Sequence, residues 1–124
     1  MEDNEDQSIE TVTTGYEPRA PQKEIHKAIR DNRWVTAICH RRMGKTVCAI
    51  NQLIHSALNC TKENPQLAYI APTYSQAKRI AWDYLKEYTR PLGGVANVSE
   101  LRVDFLGRRI SLYGADNPDA LRGI

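Results

Sequence analysis

Cys39-His-Arg-Arg-Met-Gly44-Lys45-Thr46 is the stretch on which the reading of this chain turns. Ahead of it, Trp34 to Cys39 is a β-branched apolar run, which predicts a short strand buried on both faces. Behind it, from about Gly44 to Leu58, Val47, Ile50, Leu53, Ile54 and Ala57 recur at three- and four-residue spacing. That spacing predicts an amphipathic helix packed on a sheet.

A loop that leaves a buried strand and opens a helix presents unpaired N–H groups at the positive end of the helix dipole. This is the setting of a P-loop, and the residue types fit it. Gly44 lets the backbone approach a phosphate chain closely. Lys45 would reach the β- and γ-phosphates of ATP as a point charge, and the Thr46 hydroxyl would coordinate the bridging Mg²⁺. Arg42 and Met43 complete the expected nucleotide-binding loop. An arginine in such a loop can stabilise charge that develops in phosphoryl transfer, and Arg41 and Arg42 are both candidates. Cys39 stands where the usual pattern has its first glycine, so the loop is a variant.

Working outward, Pro18 and Pro21 favour an extended entry into a helix carrying Ile25, Ala28 and Ile29 on one face and ending at Asp31-Asn32. Gln66 to Ala71 is a second strand. Thr73-Tyr-Ser-Gln76 fits a capping box opening a third helix to about Tyr88, with Ala77, Ile80, Ala81, Tyr84, Leu85 and Tyr88 inward. Leu101 to Phe105 and Arg109 to Tyr113 flank Gly107 and alternate as a β-hairpin. The order strand, helix, strand, helix, hairpin predicts an α/β sandwich with a mostly parallel sheet.

Composition adds bounds. The 124 residues fit one domain, and 41% hydrophobic content suffices for a core. No apolar run approaches the roughly 20 residues of a membrane span, so a cytoplasmic location is expected. Cys39, Cys48 and Cys60 lack metal or disulfide spacing and are expected to be reduced thiols. Residues 1–17 hold six acidic residues and no basic one, leaving 17 basic against 9 acidic in residues 18–124, a net +8. Residues 1–15 are expected to be an acidic, disordered tail and residues 16–124 the folded part. A basic domain suits a phosphate-handling protein.

Four segments together resemble one family, the ATPase domain of the large terminase subunit of tailed bacteriophages. Glu17-Pro-Arg-Ala-Pro-Gln22 resembles its adenine-recognising Q motif, and His40 to Thr46 its arginine-bearing P-loop. Ala71 to Ala77 resembles its segment after the second strand, and Gly114 to Gly123 the stretch before its Walker B strand. The resemblance implies a partial P-loop NTPase of RecA/ASCE type, a three-layer sandwich, in which Gln22 reads adenine and Arg41 senses the γ-phosphate. It also implies double-stranded DNA, a portal protein and a small terminase subunit as partners, a homo-oligomeric ring, and an endonuclease in the complete protein.

No buried strand ending in paired carboxylates precedes Ile124, and Leu101-Arg-Val-Asp104 reads better as half of the hairpin. The sequence is therefore expected to stop short of Walker B and to bind nucleotide, at best weakly, without turnover. A superfamily 2 helicase-type translocase, a nucleotide-binding or kinase module acting without DNA, and a non-enzymatic fragment stay open as alternatives. A nuclease domain, a second motor domain or phosphate transfer to a small acceptor would separate them.

Overall fold

The computed structural model describes residues 15–39, 44–117 and 119. The elements are α1 (Ala20–Asp31), α2 (Lys45–Asn59), β1 (Gln66–Ala71), α3 (Tyr74–Thr89), a 3-10 turn (Arg90–Leu92), β2 (Val95–Asn97), β3 (Arg102–Phe105) and β4 (Arg108–Gly114). Most of the tail assigned to residues 1–15 lies outside the described residues, as do His40, Arg41, Arg42 and Met43.

One four-stranded sheet runs in the order β1-β4-β3-β2. β1 and β4 are parallel, with Gln66 opposite Arg109 and Ala71 opposite Gly114. β4 with β3 and β3 with β2 are antiparallel. The expectation of a mostly parallel sheet is thus corrected to a mixed one, because β2 with β3 and β3 with β4 run antiparallel and, among the described strands, only β1 and β4 pair in parallel. The two-residue turn of the β3–β4 hairpin, Leu106-Gly107, has φ of 49° and 76°, the positive pair whose twist matches flanking strands.

The register sets the core. Leu67, Tyr69 and Ala71 face the same way as Ile110, Leu112 and Val103, and α2 and α3 pack side by side on that face through Ile50, Ile54, Ala57, Ala77, Ala81, Trp82 and Leu85. The opposite face carries Arg102, Asp104, Arg109 and Ser111, with Arg109 Nε donating to Asp104 Oδ1 at 2.7 Å. The described residues therefore form two layers, and the third layer of the expected sandwich is not among them.

Local signals explain the helix ends. Thr73 Oγ1 accepts from Gln76 N at 3.1 Å, as the capping pattern required. At the far end of α2, the Arg108 guanidinium donates to the carbonyls of Ala57 and Leu58, placing a cation at the negative end of the dipole. On α3 the buried stripe is Ala77, Ala81, Trp82, Leu85 and Thr89, whereas Ile80 and Tyr84 are exposed. The predicted stripe was rotated by part of a turn because Trp82, not Tyr84, fills the space over the sheet.

The larger correction concerns Trp34 to Cys39. These residues form no strand, and Trp34 and Ile38 are 84% and 99% exposed. A strand exists through its ladder, and no described strand lies alongside to accept its N–H groups. Composition marked the run as suited to burial but could not supply the neighbour.

Candidate nucleotide site

Gly44 is the N-cap of α2, with φ 80° and ψ 36°, and Lys45 and Thr46 open the fifteen-residue helix. The left-handed conformation turns the chain sharply into the helix, which is why glycine stands there. Gly44 O accepts from Cys48 N at 3.0 Å, closing the first turn. In a helix that opens at Lys45, the first amides have no partner within the helix itself. No acidic residue lies in this first turn to compete for them.

The entry is walled by α1. Gln22 is only 4% exposed; its Oε1 accepts from Arg19 N at 2.9 Å, and its Nε2 donates to Gly44 O at 3.0 Å. One side chain thus closes the first turn of α1 and ties it to the first turn of α2. A Cβ on Gly44 would lie 2.7 Å from Gln22 Nε2 and 2.9 Å from Arg19 Nη2, so any other residue would displace both side-chain ends as well as strain a positive φ. Arg19 also brings a guanidinium close to Gly44. Sequence reading passed over it, although it lies within the Glu17 to Gln22 segment already singled out.

A second tie lies one turn deeper. Tyr16 Oη and His26 Nε2 are 2.9 Å apart, His26 Nδ1 and Gln52 Oε1 2.7 Å, and Gln52 Nε2 donates to Ser56 Oγ at 2.9 Å. Because Gln52 Oε1 can only accept, His26 carries its proton on Nδ1 and receives the Tyr16 hydroxyl at Nε2. Cys48 Sγ is 3.6 Å from the same nitrogen. Burial, followed by the nearby Cys48 thiol, pushes the Tyr16 phenol up in pKa, and burial raises the Cys48 thiol as well. Both groups stay neutral at physiological pH and serve packing. The tie itself was not foreseen, since it depends on how α1 lies across α2.

Lys45 is exposed and lies at the rim of a cavity of about 410 Å³, lined chiefly by apolar groups such as Ile25, Ile29, Leu53 and Ile70. That lining suits side-chain packing. Thr46 is half-buried beside Lys45. The described part of the site offers the N-terminus of a long helix with an ammonium and a hydroxyl in its first turn, groups of the kind that suit a phosphate and a bridging cation.

Gly114, at the same end of the sheet, is packed equally closely. A Cβ there would sit 2.7 Å from the Thr73 carbonyl carbon. Ala115 N donates to Ala71 O at 2.8 Å, and Tyr74 N donates to Asp116 Oδ1 at 3.1 Å. Asp116 therefore bonds the first turn of α3, and the loops after β1 and β4 form one unit. Arg122 lies outside the described residues. Among those described, no group of histidine, cysteine or acidic residues could hold a metal, and no helix is long and apolar enough to cross a membrane.

No protein-family profile and no curated protein matches the chain. Among solved structures it is similar to the large terminase ATPase domain of Thermus phage P74-26, with a TM-score of 0.66 and 22% identity. The match covers 90% of this chain and 51% of that one, so this chain spans about half the length of the structure it matches. The α1–α2–sheet arrangement, with Gly44 where the helix opens, is accordingly one instance of the fold of a bacteriophage large terminase ATPase domain.

Proposed function

We propose that this chain is the nucleotide-binding portion of a DNA-packaging motor, coupling ATP hydrolysis in the complete protein to translocation of double-stranded DNA. The observation that carries it is Gly44, left-handed and capping a fifteen-residue helix that begins Lys45-Thr46, with its carbonyl held by Gln22. The 22%-identical terminase fold supports the same reading.

In this reading the α2 amides and Lys45 hold the β- and γ-phosphates, Thr46 meets Mg²⁺, and Arg41, Arg42 and Met43 complete the loop. Arg41 is the arginine assigned to the γ-phosphate. ATP, when bound, supplies the phosphoanhydride whose cleavage drives movement. Gln22, buried with its amide engaged at both ends, acts on the nucleotide through Gly44 in addition to any adenine contact. A homo-oligomeric ring, a portal protein and a small terminase subunit are the partners proposed for the complete motor.

The test is a titration of the 124-residue chain with a fluorescent ATP analogue and Mg²⁺, read by anisotropy. Lys45→Ala is expected to weaken binding about tenfold or more, the loss of one charge-assisted contact. Because Lys45 is exposed, melting should be unchanged within about 0.5 kcal/mol. Equal affinity in the variant would refute the assignment, as would steady-state hydrolysis by the 124 residues that Lys45→Ala leaves intact.

A further inference from the structure

Cys39 and Cys48 line one cavity, together with Ile25, Ala37 and Gln52, and both thiols are free. They bracket the residues proposed to hold the nucleotide. Cys39 is the last described residue before the loop, and Cys48 lies one turn into α2, its N–H closing on Gly44 O. Cys39 is also the departure of the loop from the usual pattern, standing at its first glycine. Nothing in the nucleotide reading uses either sulfur. The third thiol, Cys60, caps the far end of the same helix.

The two neighbours differ in access. Cys39 is half-buried, whereas Cys48 is 1% exposed, with its Sγ 3.6 Å from His26 Nε2 and 4.0 Å from Gln22 O. Burial raises the Cys48 thiol in pKa first, and Cys39 adds to the rise, so the two sulfurs lie within range of each other's charge. Distance makes the pairing selective. From residue 48 to residue 60 the chain advances about 18 Å at 1.5 Å per residue, whereas a disulfide joins Cα atoms about 4.4–6.8 Å apart. Of the pairs the cysteines allow, Cys39 with Cys48 is the one that shares a cavity. Among the described residues no cluster could hold a metal, which leaves thiol chemistry for these two sulfurs.

We infer that Cys39 and Cys48 are a peroxide-responsive pair whose disulfide closes the loop they bracket. The half-buried Cys39 thiol meets the oxidant, hydrogen peroxide: an S–O bond forms as the O–O bond breaks, giving a sulfenic acid and one water. The shielded Cys48 then attacks that sulfur. The S–S bond forms, the S–O bond breaks, and hydroxide leaves with the Cys48 proton as a second water. The peroxide gains the two electrons that the two thiols lose, and a dithiol reductant reverses the step. The bridge closes a ring over residues 39–48 and draws the chain ahead of the loop onto the first turn of α2, beside Gly44. It also turns Cys48 Sγ from His26 and Gln22 toward Cys39, which loosens the part of α1 that ties Gln22 to Gly44. A nucleotide that needs both the open loop and that tie is excluded from the bridged form. This consequence rests on the nucleotide reading above; the bridge itself does not.

The experiment treats the full 124-residue chain, as wild type and as Cys60→Ser, with a slight excess of hydrogen peroxide, alkylates the remaining thiols with iodoacetamide, and maps the unreduced tryptic digest by mass spectrometry. Trypsin separates residues 34–41 from residues 46–62, so the expected product is one linked peptide joining these two within a single chain. Dithiothreitol should return both peptides, and in the wild type Cys60 should be found alkylated. The bridged form is expected to bind the fluorescent nucleotide at least about tenfold more weakly than the reduced form, with dithiothreitol restoring affinity. Cys39→Ser, a small change at a half-buried position, should lose both the linked peptide and the response to peroxide. The inference is overturned if both thiols stay open to alkylation after peroxide, if Cys39 is recovered as sulfinic acid without a bridge, if the link joins two chains, or if Cys60 is the partner. It is equally overturned if the bridge forms and affinity does not change. A reduced chain that binds no nucleotide would instead refute the Lys45 assignment, and the linked peptide would still decide the pair.

Discussion

Gly114→Ala is expected to cost about 3 kcal/mol or more of stability, the upper end of what overpacking produces. The added methyl group would meet backbone at the Thr73 carbonyl carbon and Tyr74 N, with Asp116 Oδ1 alongside. A side chain could swing aside, but a strand end and a helix start cannot separate without breaking the Ala115 N to Ala71 O and Tyr74 N to Asp116 bonds. Thermal denaturation followed by circular dichroism should show a fall on the order of 10 °C or more, or no folded baseline. A melting point within about 2 °C of wild type would mean that these two loops are not joined as described.

Gly44→Ala should be the most damaging single change for nucleotide binding. Alanine at φ 80° costs about 1–2 kcal/mol. Its Cβ would also push Gln22 Nε2 and Arg19 Nη2 aside and break the bond to Gly44 O, adding about 1 kcal/mol. Relief by a more helical φ would redirect the chain where it enters α2 and turn the first amides of that helix. Affinity for the fluorescent nucleotide is expected to fall well beyond tenfold, with a stability loss of about 2–3 kcal/mol. The pattern differs from Lys45→Ala, which should lower affinity and leave melting alone. A Gly44→Ala protein that binds as well as wild type would remove Gly44 from the proposed site.

Much of the fold was legible because the signals were local. Thr73 with Gln76, the apolar spacing of α2 and the alternation around Gly107 each encode an element within a few residues, and each appears where the pattern put it. The apolar segment Trp34 to Cys39 misled for the opposite reason: its state depends on a neighbouring strand, which periodicity cannot report. Trp82 displaced Tyr84 from the core through the shape of the sheet surface, a tertiary effect.

The site divides in the same way. Gly44, Lys45 and Thr46 stand at the opening of α2 as the motif put them, but without the strand that the reading placed ahead of the loop, and Arg41, Arg42 and Met43 lie outside the described residues. Gln22 was found for its resemblance, but its bond to Gly44 could be seen only once α1 lay against α2. Tyr16, His26 and Gln52 are separated by ten and twenty-six residues, and no spacing rule connects a phenol, an imidazole and an amide at such distances.

β1 ends the sheet on one side, bonded only to β4 among the described residues, with Ile70 54% exposed on it. Such a rim is a template on which a second molecule can zip, and the apolar Trp34 to Ile38 run offers a matching ribbon. The 124-residue chain should accordingly self-associate as its concentration rises, visible as growing light scattering. A lysine at position 70 would suppress this by making each such encounter bury a charge.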